Sequence, residues 1–324
     1  GFLMPYAEVF GSSQTCVEAE RLDCIAFAPE DRQDQFSYAG EHVTTDTAIR
    51  ALVAMATALR ASEGFLEKSV APQLKWIDEQ LSALWSLRGP CPGLGPALCA
   101  FGIQQGTLLA YEISAQLAEN EDPWPLINQV MVSPEKYLPP RLAKEVTRSL
   151  SSKWQKLPPE RLALLKLMSR FELNADQATR FYVSEERADS GIQCLDNELL
   201  KNPYLLYELD RFSMDPIAVH TIDQGAFPAK IVAQKHPLPK PSFIQGGTDE
   251  RRVRALLVNL LEEAKTAGNT LLAESQMILS LRKALLAEVC PVDADLIRAI
   301  ESSFAPVIRA CSMKTGEHAY QLDY

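Results

Sequence analysis

Two glycines bracket a leucine in "CPGLGPALCAFGI" (residues 91–103), between two segments with helical apolar spacing. In a helix-hairpin-helix unit, one helix ends, a Gly-hydrophobe-Gly loop turns, and the next helix starts with its free N–H groups aimed at a phosphate. Glycine suits such a loop because a Cβ would block close backbone approach and the positive φ of a tight turn. Here the first helix covers about 74–87 with Leu81, Leu84 and Leu87; the second opens with Pro96 and buries Leu98 and Phe101, with Leu94 plugged between them. A helical hairpin with no ligand fits the same residues, so the loop alone leaves both readings open.

A second feature with chemical potential is a run of charge. Residues 141–170 hold eight basic side chains (Arg141, Lys144, Arg148, Lys153, Lys156, Arg161, Lys166 and Arg170) against Glu145 and Glu160. Such a run is either a solvated helix face or a phosphate-contacting surface, and Trp154 within "SSKWQK" offers a stacking plane for the second case. "ERRVR" (250–254), with Arg251, Arg252 and Arg254, has the same ambiguity. None of these residues supplies base specificity.

Other chemistries lack their signatures. No G-x-x-x-x-G-K-[ST] phosphate loop and no Gly-Lys pair occur, so this chain is not expected to hydrolyse ATP by that route. There is no G-x-S-x-G, and the histidines (42, 220, 236, 318) stand singly. His220 and Asp223 fall three apart on an expected helix, a spacing that more often serves structure than catalysis. The cysteines (16, 24, 91, 99, 194, 290, 311) form no C-x-x-C pair, which points to reduced thiols in a cytoplasmic protein and away from zinc. The net charge of −10 argues against general nucleic-acid coating but permits a local basic surface. No apolar run approaches the ~20 residues of a membrane span. "GFLMPYAEVF" lacks a secretory pattern, and the start at Gly1 fits a piece of something longer.

The elements that must position these residues are mainly helical. Residues 1–40 are expected to be irregular, leading into a helix capped near Thr44 or Thr45. Apolar positions 49, 52, 53, 56 and 59, then 74, 77, 81, 84 and 85, then 108, 109, 113 and 117, keep the spacing of one buried face. The spacing predicts a helical domain over 41–140, a second over 141–234, and a linker at 235–248 marked by its prolines and paired glycines. Beyond it Asp249 caps a helix with 253, 256, 257, 260, 261 and 264 inward and Gly268 as its stop. Helices at about 273–287 and 293–303 follow, then a two-stranded ribbon turning at "KTGE". The fold class predicted is thus mainly α, a helical bundle with helix-hairpin-helix units followed by a small winged-helix-like module (249–324) with a β-hairpin.

Three stretches in order resemble the non-motor N-terminal region of RecD-like DNA helicases of superfamily 1. They are "CPGLGPALCAFGI"; "LLKLMSRFELNADQATRFYV" with "ELLKNPYLLYELDRFSMDPIAVHTID"; and "RVRALLVNLLEEAKTAGNTLL". Together they cover about 74–272. Two positions depart from the family: "RFSMDP" (211–216) replaces a Gly-hydrophobe-Gly loop, making it a packing element, and Asn269 stands where histidine is common.

The resemblance implies a DNA-binding or DNA-guiding region making sequence-independent backbone contacts at Gly93, Leu94 and Gly95, assisted by Arg88 and the basic segment. It implies single-stranded or junction DNA and the protein's own C-terminal helicase core as partners. It places no cofactor in this segment, and ATP and Mg²⁺ in a motor beyond Tyr324. Two other classes stay open: a helical protein-interaction scaffold with purely structural hairpins, and a helix-hairpin-helix DNA glycosylase. Against the latter, the first acidic residues past Ala118, namely Glu119, Glu121 and Asp122, sit in a proline-bounded loop.

Overall fold

The computed structural model describes residues 1–11, 19–36 and 43–323; Cys16, His42 and parts of the expected N-terminal loop lie outside them. The chain forms two compact units, Gly1–Gly89 and Pro90–Tyr324. The division falls at a helix stop: Gly89 takes φ +60°, a left-handed conformation that ends the preceding helix cheaply only because it has no Cβ.

In the first unit, α1 (Thr45–Ser62) and α2 (Ala71–Arg88) pack together. Thr44 caps α1 as its sequence predicts, its hydroxyl accepting the Thr47 N–H at 3.4 Å. Ala56, Leu59, Val70 and Ile77 form the core between them. The stretch read as irregular contains a short helix, Tyr6–Phe10, and 3₁₀ turns at Ala19–Cys24 and Glu30–Phe36. Leu87, assigned to a buried hairpin face, is 75% exposed.

The second unit is mainly helical. Its first helices are α3 (Leu94–Phe101) and α4 (Gly106–Ser114), joined by a turn in which Gly102 takes φ +118°. Then come α5 (Trp124–Val132), α6 (Arg148–Gln155), α7 (Pro159–Met168) and α8 (Ala175–Tyr182). α3 packs on both α4 and α8. Asn174 and Gln177 close a reciprocal capping box at the start of α8, each side chain accepting the other's backbone N–H, at 2.8 and 3.1 Å. The "RFSMDP" loop closes on that cap, for Asn174 Nδ2 donates to Asp215 Oδ2 at 2.5 Å.

α9 (Val219–Ala226) and α10 (Glu250–Thr266) lead into the C-terminal part. In α10 the apolar spacing works as read: Val253, Leu256, Leu257, Leu261 and Ala264 are buried, and Asp249 caps the helix. α11 (Glu274–Lys283) and α12 (Ala294–Ile300) follow. The expected two-stranded ribbon is a three-stranded antiparallel sheet. Between β2 (Ile308–Ser312) and β1 (Leu272–Ala273) lies β3 (His318–Leu322), giving the order β1-β3-β2.

One apolar core runs through this unit, from Leu94 to Tyr320. The boundary expected at 140/141 therefore falls inside it, and so does the linker at 235–248. Leu238 and Ile244 are buried, and the buried Ser242 hydroxyl donates to the Leu200 carbonyl at 2.6 Å. Arg251 fastens the same segment, donating to the carbonyls of Lys201 at 2.5 Å and Phe243 at 2.6 Å. The segment's prolines shape a packed connection, with Leu238 and Ile244 turned inward and the Phe243 and Gly247 carbonyls accepting from Arg251 and Arg252.

Candidate nucleic-acid interface

The glycine loop faces inward. Gly93, Leu94 and Gly95 are all buried. The Gly93 N–H, which a phosphate would need, donates to the Ser169 carbonyl at 2.9 Å, and the Leu94 N–H donates to Cys91 at 3.1 Å. A Cβ on Gly93 would lie 2.0 Å from the Phe171 carbonyl oxygen and 3.0 Å from that of Met168. A Cβ on Gly95 would lie 2.7 Å from Thr107 Cα, and one on Gly106 2.7 Å from the Gly95 oxygen. Glycine is required at these positions, but for backbone-to-backbone packing of α3 on α4 and on the turn after α7. The expected phosphate grip at 93–95 is corrected accordingly.

The same turn is also met by a glycine of α9. Gly225 of α9 sits so close that a Cβ there would meet the Phe171 ring at 2.3 Å and the Arg170 carbonyl at 2.7 Å. Phe171 itself is fully buried. Residues 168–171 are therefore held between two glycines contributed by distant parts of the chain.

Half of the expected cationic contacts, Arg88, Arg251, Arg252 and Arg254, are also committed inward. Arg88 lies in the first unit, buried, with its guanidinium on both carboxylate oxygens of Asp46. Arg252 is fully buried on Asp223, Nε to Oδ1 at 2.6 Å and Nη2 to Oδ2 at 3.0 Å, and Nη1 donates to the Gly247 carbonyl at 2.7 Å. Arg254 pairs with buried Glu208 at 2.9 Å and donates to Ser303 at 2.7 Å. Burial pushes the Glu208 carboxyl up, with Arg254 and Arg211 pulling the other way. Arg251 is clasped by Asp249 at 2.7 Å as well as by the carbonyls named above. Buried or bridging guanidinium groups of this kind hold structure and are not presented to a polyanion.

Trp154, read as a stacking plane, is a core side chain. It is 8% exposed, donates its indole N–H to Asn128 at 3.1 Å, and packs edge-on to Phe101 with ring centroids 5.0 Å apart. Trp124 stacks on it at 6.4 Å. No face is left for a base.

Four of the expected contact residues remain on the surface: Arg141, Lys144, Arg148 and Lys153, all exposed. Lys153 also reaches the Phe101 carbonyl at 3.4 Å and lies over that ring. Lys156, from the same basic run, is exposed at the end of α6. Thr147 sets the start of α6, its hydroxyl accepting the Leu150 N–H at 3.2 Å, so Arg148 occupies the first helical turn and Lys156 the C-cap. The run's other cations behave differently. Arg161 is held by Asp196 at 2.9 Å, and Lys166 and Arg170 line a cleft.

Among the described residues, no cluster of His, Cys, Asp or Glu could hold a metal ion, and no helix is long and apolar enough to cross a membrane. Comparison of the chain with protein-family models, curated proteins and solved structures found no match.

Proposed function

We propose that this chain is a DNA-guiding, non-motor region of a RecD-like DNA helicase, and that it holds the sugar-phosphate backbone through Arg141, Lys144, Arg148 and Lys156. The observation carrying this reading is the contrast within the cation set: these four side chains are exposed, whereas Arg88, Arg251, Arg252 and Arg254 are tied to carboxylates and carbonyls. Contacts of this kind attract phosphates without reading sequence and act by releasing counterions. ATP and Mg²⁺ belong to the motor that the resemblance places elsewhere in the parent protein.

The C-terminal elements support a docking role in this scheme. Helix α10, strand β1, helices α11 and α12 and strands β2 and β3, with sheet order β1-β3-β2, follow the winged-helix order. α12, the helix that such a module would present to DNA, carries Asp295 and Arg298, and Arg298 pairs with Glu274 at 3.1 Å. That is a poor surface for a polyanion, which favours the protein's own helicase core as the neighbour of this module.

The test is the salt dependence of binding to single-stranded DNA. Four phosphate contacts at ~0.7 each predict that the fourfold variant Arg141→Gln, Lys144→Gln, Arg148→Gln and Lys156→Gln lowers the slope of log K against log salt by about 3. An unchanged slope, or a flat titration of the unmodified chain at low salt, would favour the second reading, a protein-interaction scaffold. That reading draws its support from the inward-packed glycine loop and the net charge of −10.

A further inference from the structure

The strand order β1-β3-β2 leaves β2 (Ile308–Ser312) at an edge of the sheet. Its register on β3 decides which backbone groups face outward. The Asp323 N–H donates to the Val307 carbonyl and the Met313 N–H to the Glu317 carbonyl, both at 2.8 Å, so the odd-numbered residues of 307–313 turn their backbone groups to β3. The even-numbered residues turn theirs away. Of these, Ile308 donates its N–H to the Phe304 carbonyl at 2.9 Å. Ala310 and Ser312 are exposed, and no hydrogen bond among the described residues takes up their outward N–H and C=O groups.

The usual guards of an edge strand are missing here. No proline interrupts 308–312, and the one charged side chain, Arg309, is drawn to Asp323 just past the end of β3, with Nη2 2.7 Å from both carboxylate oxygens. Cys311 stands between the two open residues, half-buried, its thiol donating to the Ala319 carbonyl at 3.4 Å.

We propose that β2 pairs with β2 of a second copy of this chain, antiparallel about a two-fold axis at Cys311. What singles out a second copy is that the open groups match themselves. Two residues set two apart, each with a donor and an acceptor, are answered by the same two residues running the other way. Ala310 exchanges both hydrogen bonds with Ser312 of the copy, Ser312 does the same with the copy's Ala310, and no open group of either residue is left over. A register centred on Ala310 would instead need the Ile308 N–H, which the Phe304 carbonyl already holds. With the axis at Cys311, Arg309 faces Met313 of the copy, so no like charges stand opposite each other. The product is one continuous sheet in the order β1-β3-β2-β2-β3-β1, and it does not depend on DNA binding.

At the axis the two Cys311 residues form a non-hydrogen-bonded pair, with Cα atoms about 4.5 Å apart and both sulfurs on one face. That lies within the ~4.4–6.8 Å a disulfide spans. The thiols therefore report the pairing: diamide takes two electrons and two protons from them, is reduced to its hydrazine, and leaves one S–S bond.

Sedimentation velocity of the whole chain under reducing conditions, over a range of concentrations, is expected to show a monomer–dimer equilibrium. Brief diamide treatment followed by peptide mapping is expected to give Cys311–Cys311 as the main intermolecular disulfide. Ser312→Pro removes one donor from each copy at an edge position where proline is tolerated, so it should melt like the unmodified chain and lose both the dimer and the crosslink. Cys311→Ser should keep the dimer and lose the crosslink. If the proline lowers the melting temperature, the crosslink map of the unmodified chain decides alone. The proposal is overturned if the chain stays monomeric, which would leave the edge to an extended segment of a different protein, if a normally melting Ser312→Pro chain dimerises as before, or if other cysteines carry the crosslink.

Discussion

Gly93→Ala is expected to destabilise the second unit by about 3 kcal/mol, the upper end of the usual cost of overpacking. The added Cβ would start 2.0 Å from the Phe171 carbonyl oxygen, which is backbone and cannot swing aside as a flexible side-chain tip could. The turn has little room to adjust, since Gly225 also packs closely on the Phe171 ring and the Arg170 carbonyl. Any shift that relieved the clash would also stretch the 2.9 Å bond from the Gly93 N–H to Ser169. Calorimetric melting reads the effect as a fall of roughly 6–12 °C at ~2–4 °C per kcal/mol. A phosphate-binding loop predicts the opposite pattern, with Gly93→Ala melting normally and losing DNA affinity.

Breaking the Arg252–Asp223 pair is expected to cost 3–5 kcal/mol from either side, the range for stranding one buried charge at ~3–5 kcal/mol. Arg252 is fully buried and Asp223 is 1% exposed. Asp223 also accepts the Tyr204 hydroxyl at 2.8 Å, so Asp223→Ala strands a guanidinium and a phenol together. Arg252→Met leaves the carboxylate uncompensated and removes donors from the Gly247 and Glu288 carbonyls, so it should be the more damaging of the two. The double variant Arg252→Met with Asp223→Leu removes both charges and should cost clearly less than the sum of the singles. Chemical denaturation of the three variants measures this, and additive losses would show that the pair is not coupled.

The helices that could be read from sequence were those whose apolar spacing and caps agreed. α10 shows both, with Asp249 at its start and Val253, Leu257 and Leu261 inward, and Thr44 marks α1 equally plainly. β1 escaped because Leu272–Ala273 is too short to show alternation, and only its pairing with Ala319 and Tyr320 defines it.

The glycine loop was misread for a different reason. A glycine needed for a phosphate and one needed for packing look the same along the chain, and what separates them here is a turn at 168–171, far from residue 93 in sequence. The arginines behaved likewise. Nothing beside "ERRVR" reveals that Arg252 meets a carboxylate 29 residues earlier, so the basic character was legible and its direction was not. The run 141–156 kept its surface cations because its two short helices and the bend between them turn Leu142, Trp154 and Val146 inward.

The proposed function has DNA held along the exposed basic run and not at the glycine loop. Photo-crosslinking of a 4-thiothymidine oligonucleotide to the chain at low salt, with the modified peptides mapped by mass spectrometry, tests it most directly. Crosslinks are expected within residues 141–156 and should fade as salt is raised. Crosslinks centred on 93–95, or none above those of a neutral polymer control, would contradict it.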